Sequence, residues 1–269
     1  MSVAPDPARA AAESPLPVDL LRVGNVSFLN AVPLTWGFET RVRFATPSGL
    51  AALLRRDELD AAVVSITEVL LTDRYDLLDG LAIAARGEVK SVFLAHRSPL
   101  ESVRQVFCDT ASLTSVNLLR VLLAEQGLRP PFRPLPDYRM VADLDAVLLI
   151  GDQAIEFSRR PHPHRIWDLG AAWFERTGLP FVFAGWALRR GAHTPALRDA
   201  LRDMGARGVA ALPRIVTQRT EFDLEFRREY FRRHVYFKLG PDEKRGLCRF
   251  MEGLRAHGQA PVFEPRFVS

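Results

Sequence analysis

Eight residues of this sequence are polar or glycine at the points where apolar runs stop. Asn30 closes "VSFLN", Ser65 closes "AAVVS" and Ser91 follows "GEVK"; Ser112, Thr114 and Ser115 follow "VFCDTA", and Gly151 and Asp152 follow "AVLLI". Amides and hydroxyls at the ends of buried elements exchange hydrogen bonds with the oxygens of a small molecule. Ser112 reads as a helix N-cap, which puts Leu113, Thr114 and Ser115 in a first turn whose free N–H groups and hydroxyls face one point. Such a turn holds a carboxylate or phosphate, or does no more than cap its own helix. Gly151 lets a ligand approach the backbone, and Asp152 either binds that ligand or caps the helix that follows. Ser91 opens a strand and can donate to a substrate oxygen. No one of these residues is specific alone; together they describe a cleft for an oxygen-rich small molecule.

The elements that must position them alternate. "LRVGNVS" reads as a strand, "VPLTWGFE" as a short helix, "VRFAT" as a strand and "PSGLAALLRRDE" as a helix with Pro47 in its first turn. "LDAAVVS" and "ITEVLLTD" repeat the pattern, which predicts a mostly parallel sheet with right-handed crossovers. "LLDGLAIAAR" and "VKSVFLAHR" read as strands joined near Gly87. A second unit follows, with "RQVFCDT" and "DAVLLIGD" as strands, "LTSVNLLRVLLAEQGL" and "QAIEFSRR" as helices, and a proline-rich loop over residues 129–136. "WDLGAAWFERTG" reads as helix, "LPFVFAGWALRR" as strand, and everything after Thr194 as helix. The expected fold is α/β with two lobes and a ligand cleft between them, since ligands bind beyond the carboxyl ends of such strands. With "VFLAHR" and "VFAGWALRR" as the crossing strands, lobe 1 is residues 18–96 plus 190–269 and lobe 2 is residues 97–189. Residues 1–17 read as a disordered tail.

Composition narrows the field less sharply. Of 269 residues, 36 are Lys or Arg and 32 Asp or Glu, a net charge of +4 that suits an anionic metabolite as well as nucleic acid. "FRREYFRRHVYFK" interleaves arginine with aromatics as a single-strand binder does, but its spacing also gives an amphipathic helix with a basic outer face, and no nucleic-acid partner is expected. Cys108 and Cys248 are expected as reduced, buried thiols. His162 and His164 stand in a proline loop without a partner that completes a metal-ligand pattern, so a solvated loop and no metal are expected. No apolar run reaches the roughly 18 residues of a membrane span. "MSVAPDPARAAAESPLPVDL" has neither the basic start nor the apolar run of a secretory signal, so a cytoplasmic location is expected. Nucleophile-elbow, phosphate-loop, dinucleotide and zinc-protease motifs do not occur.

Taken in order, "VGNVSFLNAVPLTWG", "ELDAAVVSITE", "GEVKSVFL", "TSVNLLRVLL", "LLIGDQAI" and "DLGAAWFERTGLPFVFAGWALR" resemble the chorismate dehydratases of the futalosine route to menaquinone, from about Leu21 to Arg190. The resemblance implies a periplasmic-binding-protein-like fold of type II and loss of water from chorismate to give 3-[(1-carboxyvinyl)oxy]benzoate, with no cofactor. It implies catalytic roles for Asn30, in the family's "LN" motif, and for Ser91, in "GPVxS", written "GEVKS" here with Glu88 in place of the proline. Thr114 and Ser115, with Ser112 and Ser65, would meet the substrate's carboxylates, and Gly151 and Asp152 would lie against it. Neither an amide nor an unactivated hydroxyl is a base at neutral pH, so the expected proton acceptor is the substrate's own enolpyruvyl carboxylate. Two rivals remain. The 1,4-dihydroxy-6-naphthoate synthases of the same pathway carry an "SPCPNDT"-like stretch and a histidine after a Gly pair, neither of which occurs here. A solute-binding protein without catalysis is the other.

Overall fold

The short apolar runs that stop on polar residues become the strands of two sheets in the computed structural model, which describes residues 20–257 and 261–269. The expected tail of residues 1–17 lies outside them. The first sheet has the order β11-β4-β10-β3-β1-β2, built from β1 (Val23–Asn25), β2 (Arg43–Phe44), β3 (Ala61–Ser65), β4 (Tyr75–Ala85), β10 (Phe181–Arg189) and β11 (Arg266–Val268). The second has the order β7-β6-β8-β5-β9, built from β5 (Val92–His96), β6 (Val106–Cys108), β7 (Phe132–Pro134), β8 (Ala146–Ile150) and β9 (Arg165–Asp168). Every residue of β3, β5 and β8 is buried, which is why these strands read as continuous apolar runs rather than alternating ones.

Each sheet is parallel except for one strand. β10 runs antiparallel to β3 and β4, and β5 antiparallel to β8 and β9. These are the two strands expected to cross between the lobes, and the structure corrects that assignment: β5 lies within the second sheet and β10 within the first. The chain passes between the sheets over residues 86–91 and again over residues 169–180. Because it enters each sheet at the edge of the cleft, the entering strand has to run against its parallel neighbours.

The helices that carry the site start where strands stop. α1 (Pro47–Arg55) is capped by the Thr46 hydroxyl, with proline in its first turn. α2 (Ile66–Leu71) follows β3 without a loop. α3 (Leu113–Ala124) is capped by Ser112 and ends near Gly127, whose φ of 78° is the left-handed geometry expected there. α4 (Gly151–Ser158) follows β8 directly, and α5 (Leu169–Thr177) is capped by the Asp168 carboxylate.

Past β10 the chain forms α6 (Pro195–Ala210), α7 (Leu212–Gln218), α8 (Leu224–Glu229), a π-helical turn over Tyr230–His234 and α9 (Pro241–Ala256). The expected all-helical end also contains β11, which pairs with the edge of β4. "FRREYFRRHVYFK" is therefore not one amphipathic helix, since the π turn interrupts it. α9 drives Phe250 against Trp173 and Phe181, with centroids 6.0 and 5.0 Å apart. All three rings are buried, each contributing about 1.5–3 kcal/mol. Arg249 of α9 also pairs with Glu125 at the end of α3 at 2.6 Å, so the last helix ties the second lobe to the first. Cys108 is buried as expected, but Cys248 is exposed on the outer face of α9. In the histidine loop Pro161, Pro163 and Arg165 are exposed, but the histidines turn inward: His164 is buried with Nε2 2.7 Å from the Leu144 carbonyl oxygen, and the half-buried His162 stacks on Phe157.

Candidate active site

A cavity of about 50 Å³, open to solvent, lies in the cleft between the sheets at the carboxyl ends of β1, β3 and β8. Its polar lining is Asn30, Ser65, Ser112 and Ser115, set in a wall that includes Phe28, Ile83, Ile150 and Phe183, with Gly151 at one side. Among the described residues no Lys or Arg lines it. An anion held there is met by hydroxyls, an amide and the positive end of α3 rather than by a cation.

Asn30 stands on a 3-10 turn over Leu29–Leu34, held in place by the strand before it. The wholly buried Asn25 at the end of β1 donates from Nδ2 to the Ala31 carbonyl oxygen (3.0 Å) and to Thr35 Oγ1 (2.9 Å). Its Oδ1 accepts from Val26 N–H at 2.8 Å. A buried amide with every strong donor and acceptor used fixes the turn it spans. From the other lobe, Asp152 accepts the Leu29 N–H at 3.1 Å. Asn30 is part of the cleft lining, although its Oδ1 is buried and has no hydrogen-bond partner.

The three serines form a chain of hydroxyls across the lobes. Ser65 Oγ lies 3.3 Å from Ser112 Oγ, which lies 3.0 Å from Ser115 Oγ and accepts from Ser115 N–H. Thr114 does not join them: it is fully buried, absent from the cleft lining, and its Oγ1 accepts the Thr67 N–H at 3.0 Å. It thereby secures the start of α2 to the start of α3. Gly151 lies on the cleft wall with φ +60°, and a Cβ there would meet the Phe28 ring at 3.1 Å.

Ser91 is wholly buried and does not line the cleft. Its Oγ accepts from the Tyr230 hydroxyl at 2.8 Å. Asp168 holds the turn before it, accepting from Val89 N–H (3.0 Å), Lys90 N–H (2.8 Å) and Ala171 N–H (3.0 Å), and so fixes Lys90 at φ +64°. Glu88, which replaces the family's proline, points outward to Lys90 Nζ at 2.8 Å and so sets no negative charge against the cleft. Local sequence carried no signal for Tyr230, which approaches from the far end of the chain. Asn25 and Asp168 were legible in principle, as polar residues at the end of a strand and the start of a helix.

Asp152 does cap, but for a neighbouring turn rather than for its own helix, and not as a ligand group on the cleft wall. Burial pushes its pKa up from 3.8 to about 6, against the lowering effect of the Leu29 N–H. A carboxyl raised in the folded state binds its proton there at a pH where the unfolded chain has lost it. Its contribution to stability is full below about pH 4 and is lost as pH rises through about 6. We expect Asp152→Asn, which keeps an oxygen acceptor for Leu29, to raise stability above pH 7 by on the order of 2 kcal/mol. Below pH 4 it should leave stability unchanged. Urea midpoints of both proteins from pH 3.5 to 8 check this; a gain that does not vary with pH would contradict it.

Comparisons with known proteins show the family and the fold of the chain. A family model described as menaquinone biosynthesis matches residues 21–256. A chorismate dehydratase of Thermus thermophilus is 34% identical over 93% of this chain and 99% of its own, and one of Campylobacter jejuni 27% identical over 85% and 91%. Among solved structures, a protein of Archaeoglobus fulgidus superposes with a TM-score of 0.67 at 16% identity, covering 87% of this chain and 96% of that one. The alkanesulfonate-binding protein SsuA of Xanthomonas axonopodis pv. citri does so at 0.65 and 14%, covering 91% and 95%. These likenesses bear out the periplasmic-binding-protein-like fold.

Proposed function

The chain belongs to the menaquinone-biosynthesis family matched by residues 21–256, and from that membership we propose that it is a chorismate dehydratase, a hydro-lyase of the futalosine route acting in the cytoplasm. The observation that carries this reading is the full-length likeness to the Thermus chorismate dehydratase. The cleft supports it in kind: chorismate is a dicarboxylate with a ring hydroxyl, and the wall offers hydroxyls, a helix start and an amide.

The reaction removes the ring hydroxyl and the hydrogen on the neighbouring carbon that bears the enolpyruvyl ether. The polar cleft lining is an amide and three hydroxyls, none of which takes a proton at neutral pH. The base is then the substrate's enolpyruvyl carboxylate. It takes the ring proton, the C–H electron pair becomes a ring double bond, and the proton departs with the leaving hydroxide as water. Aromatisation drives the step, so the protein's contribution is geometry and charge. Ser112 and Ser115, at the start of α3, hold one carboxylate, while Ser65 joins them across the lobes. Asn30 meets the ring hydroxyl, its amide N–H donating to the oxygen that leaves, while Ser91, buried outside the cleft lining, is held by Tyr230.

Purified protein mixed with chorismate, with no metal or nucleotide added, should yield an aromatic product lighter by one water in the mass spectrum. Chorismate that stays intact yet stabilises the protein against heat would favour a solute-binding role instead, the one rival that the fold likeness to SsuA supports.

A further inference from the structure

We propose that chorismate enters and leaves past the Phe28 ring, a gate that swings off Gly151 while α3 stays docked on the first lobe. The inference rests on the reading of the chain as a chorismate dehydratase and concerns how the substrate reaches the cleft. The cavity there measures about 50 Å³, whereas pockets that hold small molecules measure roughly 300 Å³ or more. Part of the wall must therefore yield before chorismate can enter. The wall residues that also reach solvent are Phe28, Asn30, Pro47, Ser112 and Ala184. Pro47 is fixed in the first turn of α1, Ser112 caps α3 and Ala184 belongs to β10. Of these five, only Phe28 carries a large side chain that rotation can carry out of the way.

Phe28 precedes the Leu29–Leu34 turn with extended backbone, and the bonds that hold the turn come from Asn25 and Asp152 rather than from the ring. The ring rests on Gly151, where a Cβ would meet it at 3.1 Å. It can leave that seat without moving Asn30, as half-exposed side chains change rotamer far faster than lobes move. α3, by contrast, is fixed to the first lobe along its length. At its start Ser112 Oγ lies 3.3 Å from Ser65 Oγ, and Thr114 Oγ1 accepts the Thr67 N–H at 3.0 Å. In its middle Val121 fills the space left by Gly253 of α9, where a Cβ would come within 2.6 Å of Val121 Cγ1. At its end Glu125, its side chain only 9% exposed, is held between Arg249 of α9 and Arg176 of α5. Parting the lobes along α3 breaks these hydrogen bonds, unpacks Val121 and takes a partner from a nearly buried carboxylate. Rotation of one ring carries no such cost.

Two measurements on the full chain test this. The first staples α3 to α9: the Cβ positions at Val121 and Gly253 lie 3.6 Å apart, within the range of a disulfide, and Val121→Cys removes the methyl that a Cβ at Gly253 would strike. In a Cys248→Ser background, so that the exposed thiol of α9 does not compete, the Val121→Cys/Gly253→Cys protein is compared oxidised and reduced. We expect kcat and the chorismate association rate to agree within about twofold, because the entry step leaves α3 in place. A loss of about tenfold on oxidation, regained with reductant, would show that the lobes part along α3 and would overturn the proposal. The second is Phe28→Ala, which leaves the gate without its ring. The association rate from stopped-flow tryptophan fluorescence should rise about tenfold, since binding no longer waits for a conformational step. A rate equal to or below that of wild type would overturn the gate and leave the dehydratase reading intact. Wild-type protein that neither binds nor converts chorismate would overturn that reading itself, and the gate for chorismate with it.

Discussion

Asn30→Ala lowers kcat for chorismate by at least about a hundredfold while the Kd for chorismate changes by only a few fold, an effect of the size found when one preorganised polar group is removed from a reacting centre. The separation of rate from binding follows from where Asn30 stands. The carboxylates that dominate affinity are assigned chiefly to Ser112, Ser115 and the start of α3, in the other lobe from the Leu29–Leu34 turn, with Ser65 joining them from the end of β3. The turn keeps its shape without the Asn30 side chain. Asn25 bonds Ala31 and Thr35, and Asp152 accepts the Leu29 N–H, so none of the contacts that hold it passes through the amide. What the alanine removes is an amide on the cleft wall that makes none of the bonds holding the turn, and therefore one whose loss is felt chiefly when substrate is present. Asn30→Asp makes the contrast: a carboxylate at that wall repels a dianion and should weaken binding as well as rate. Stopped-flow or quench measurements on saturated enzyme, beside calorimetric Kd values, separate the two effects. An alanine variant that turns over bound chorismate at the wild-type rate would sink the assignment of Asn30.

Much of this arrangement was legible before the structure because local rules wrote it. Strands buried on both faces demand continuous apolar runs, so β3, β5 and β8 announced themselves; Ser65 and Gly151, which follow the runs of β3 and β8, mark the cleft edge, whereas β5 runs the other way and meets it at Val92. Ser112 as a cap and Gly127 past the end of α3 follow from the unsatisfied groups at helix ends. What stayed hidden is long-range. β5 and β10 read as strands, but which sheet each joined depends on pairing partners more than fifty residues away, as Val92 with Ile150 shows. Thr114 has the sequence profile of Ser115, yet its rotation about the helix turns it to Thr67 instead of the cleft. Asp152 serves a turn more than a hundred residues earlier, and Tyr230 reaches Ser91 from a π turn whose extra residue no local pattern signals. β7 and β11, three residues each, are strands only because an edge was available for them.

Gly208→Ala destabilises the protein by about 3 kcal/mol and reduces turnover with it, although alanine is the better helix former. In a solvated helix interior the change would stabilise by roughly 1 kcal/mol. α6 is not solvated on this side: Gly205 and Gly208 lie one turn apart on the face packed against the first sheet and the Leu29–Leu34 turn. The two glycines face different obstacles. A Cβ at Gly205 meets the Leu81 side chain, which can change rotamer, whereas a Cβ at Gly208 overlaps the Pro33 carbonyl, which is backbone. Pro33 belongs to the turn that carries Asn30 and is held by Asn25 and Asp152. Either the helix backs away and opens the core, or the turn moves and takes the amide with it. Overpacking against an element that cannot yield costs at the upper end of the usual 1–3 kcal/mol or beyond. For a chain of this length that lowers Tm by roughly 6–12 °C. Val209→Ala, an exposed change one residue further along the same helix, should stay within about 0.5 kcal/mol. Paired melting and kcat measurements decide between the two responses. A large fall in Tm with kcat intact means that the helix gives way, whereas a joint fall means that the close seat of α6 on Pro33 is what holds Asn30 at the distance the reaction needs. A Gly208→Ala protein that matches wild type in both would show that the turn can retreat freely, and the geometric account of Asn30 would fail with it.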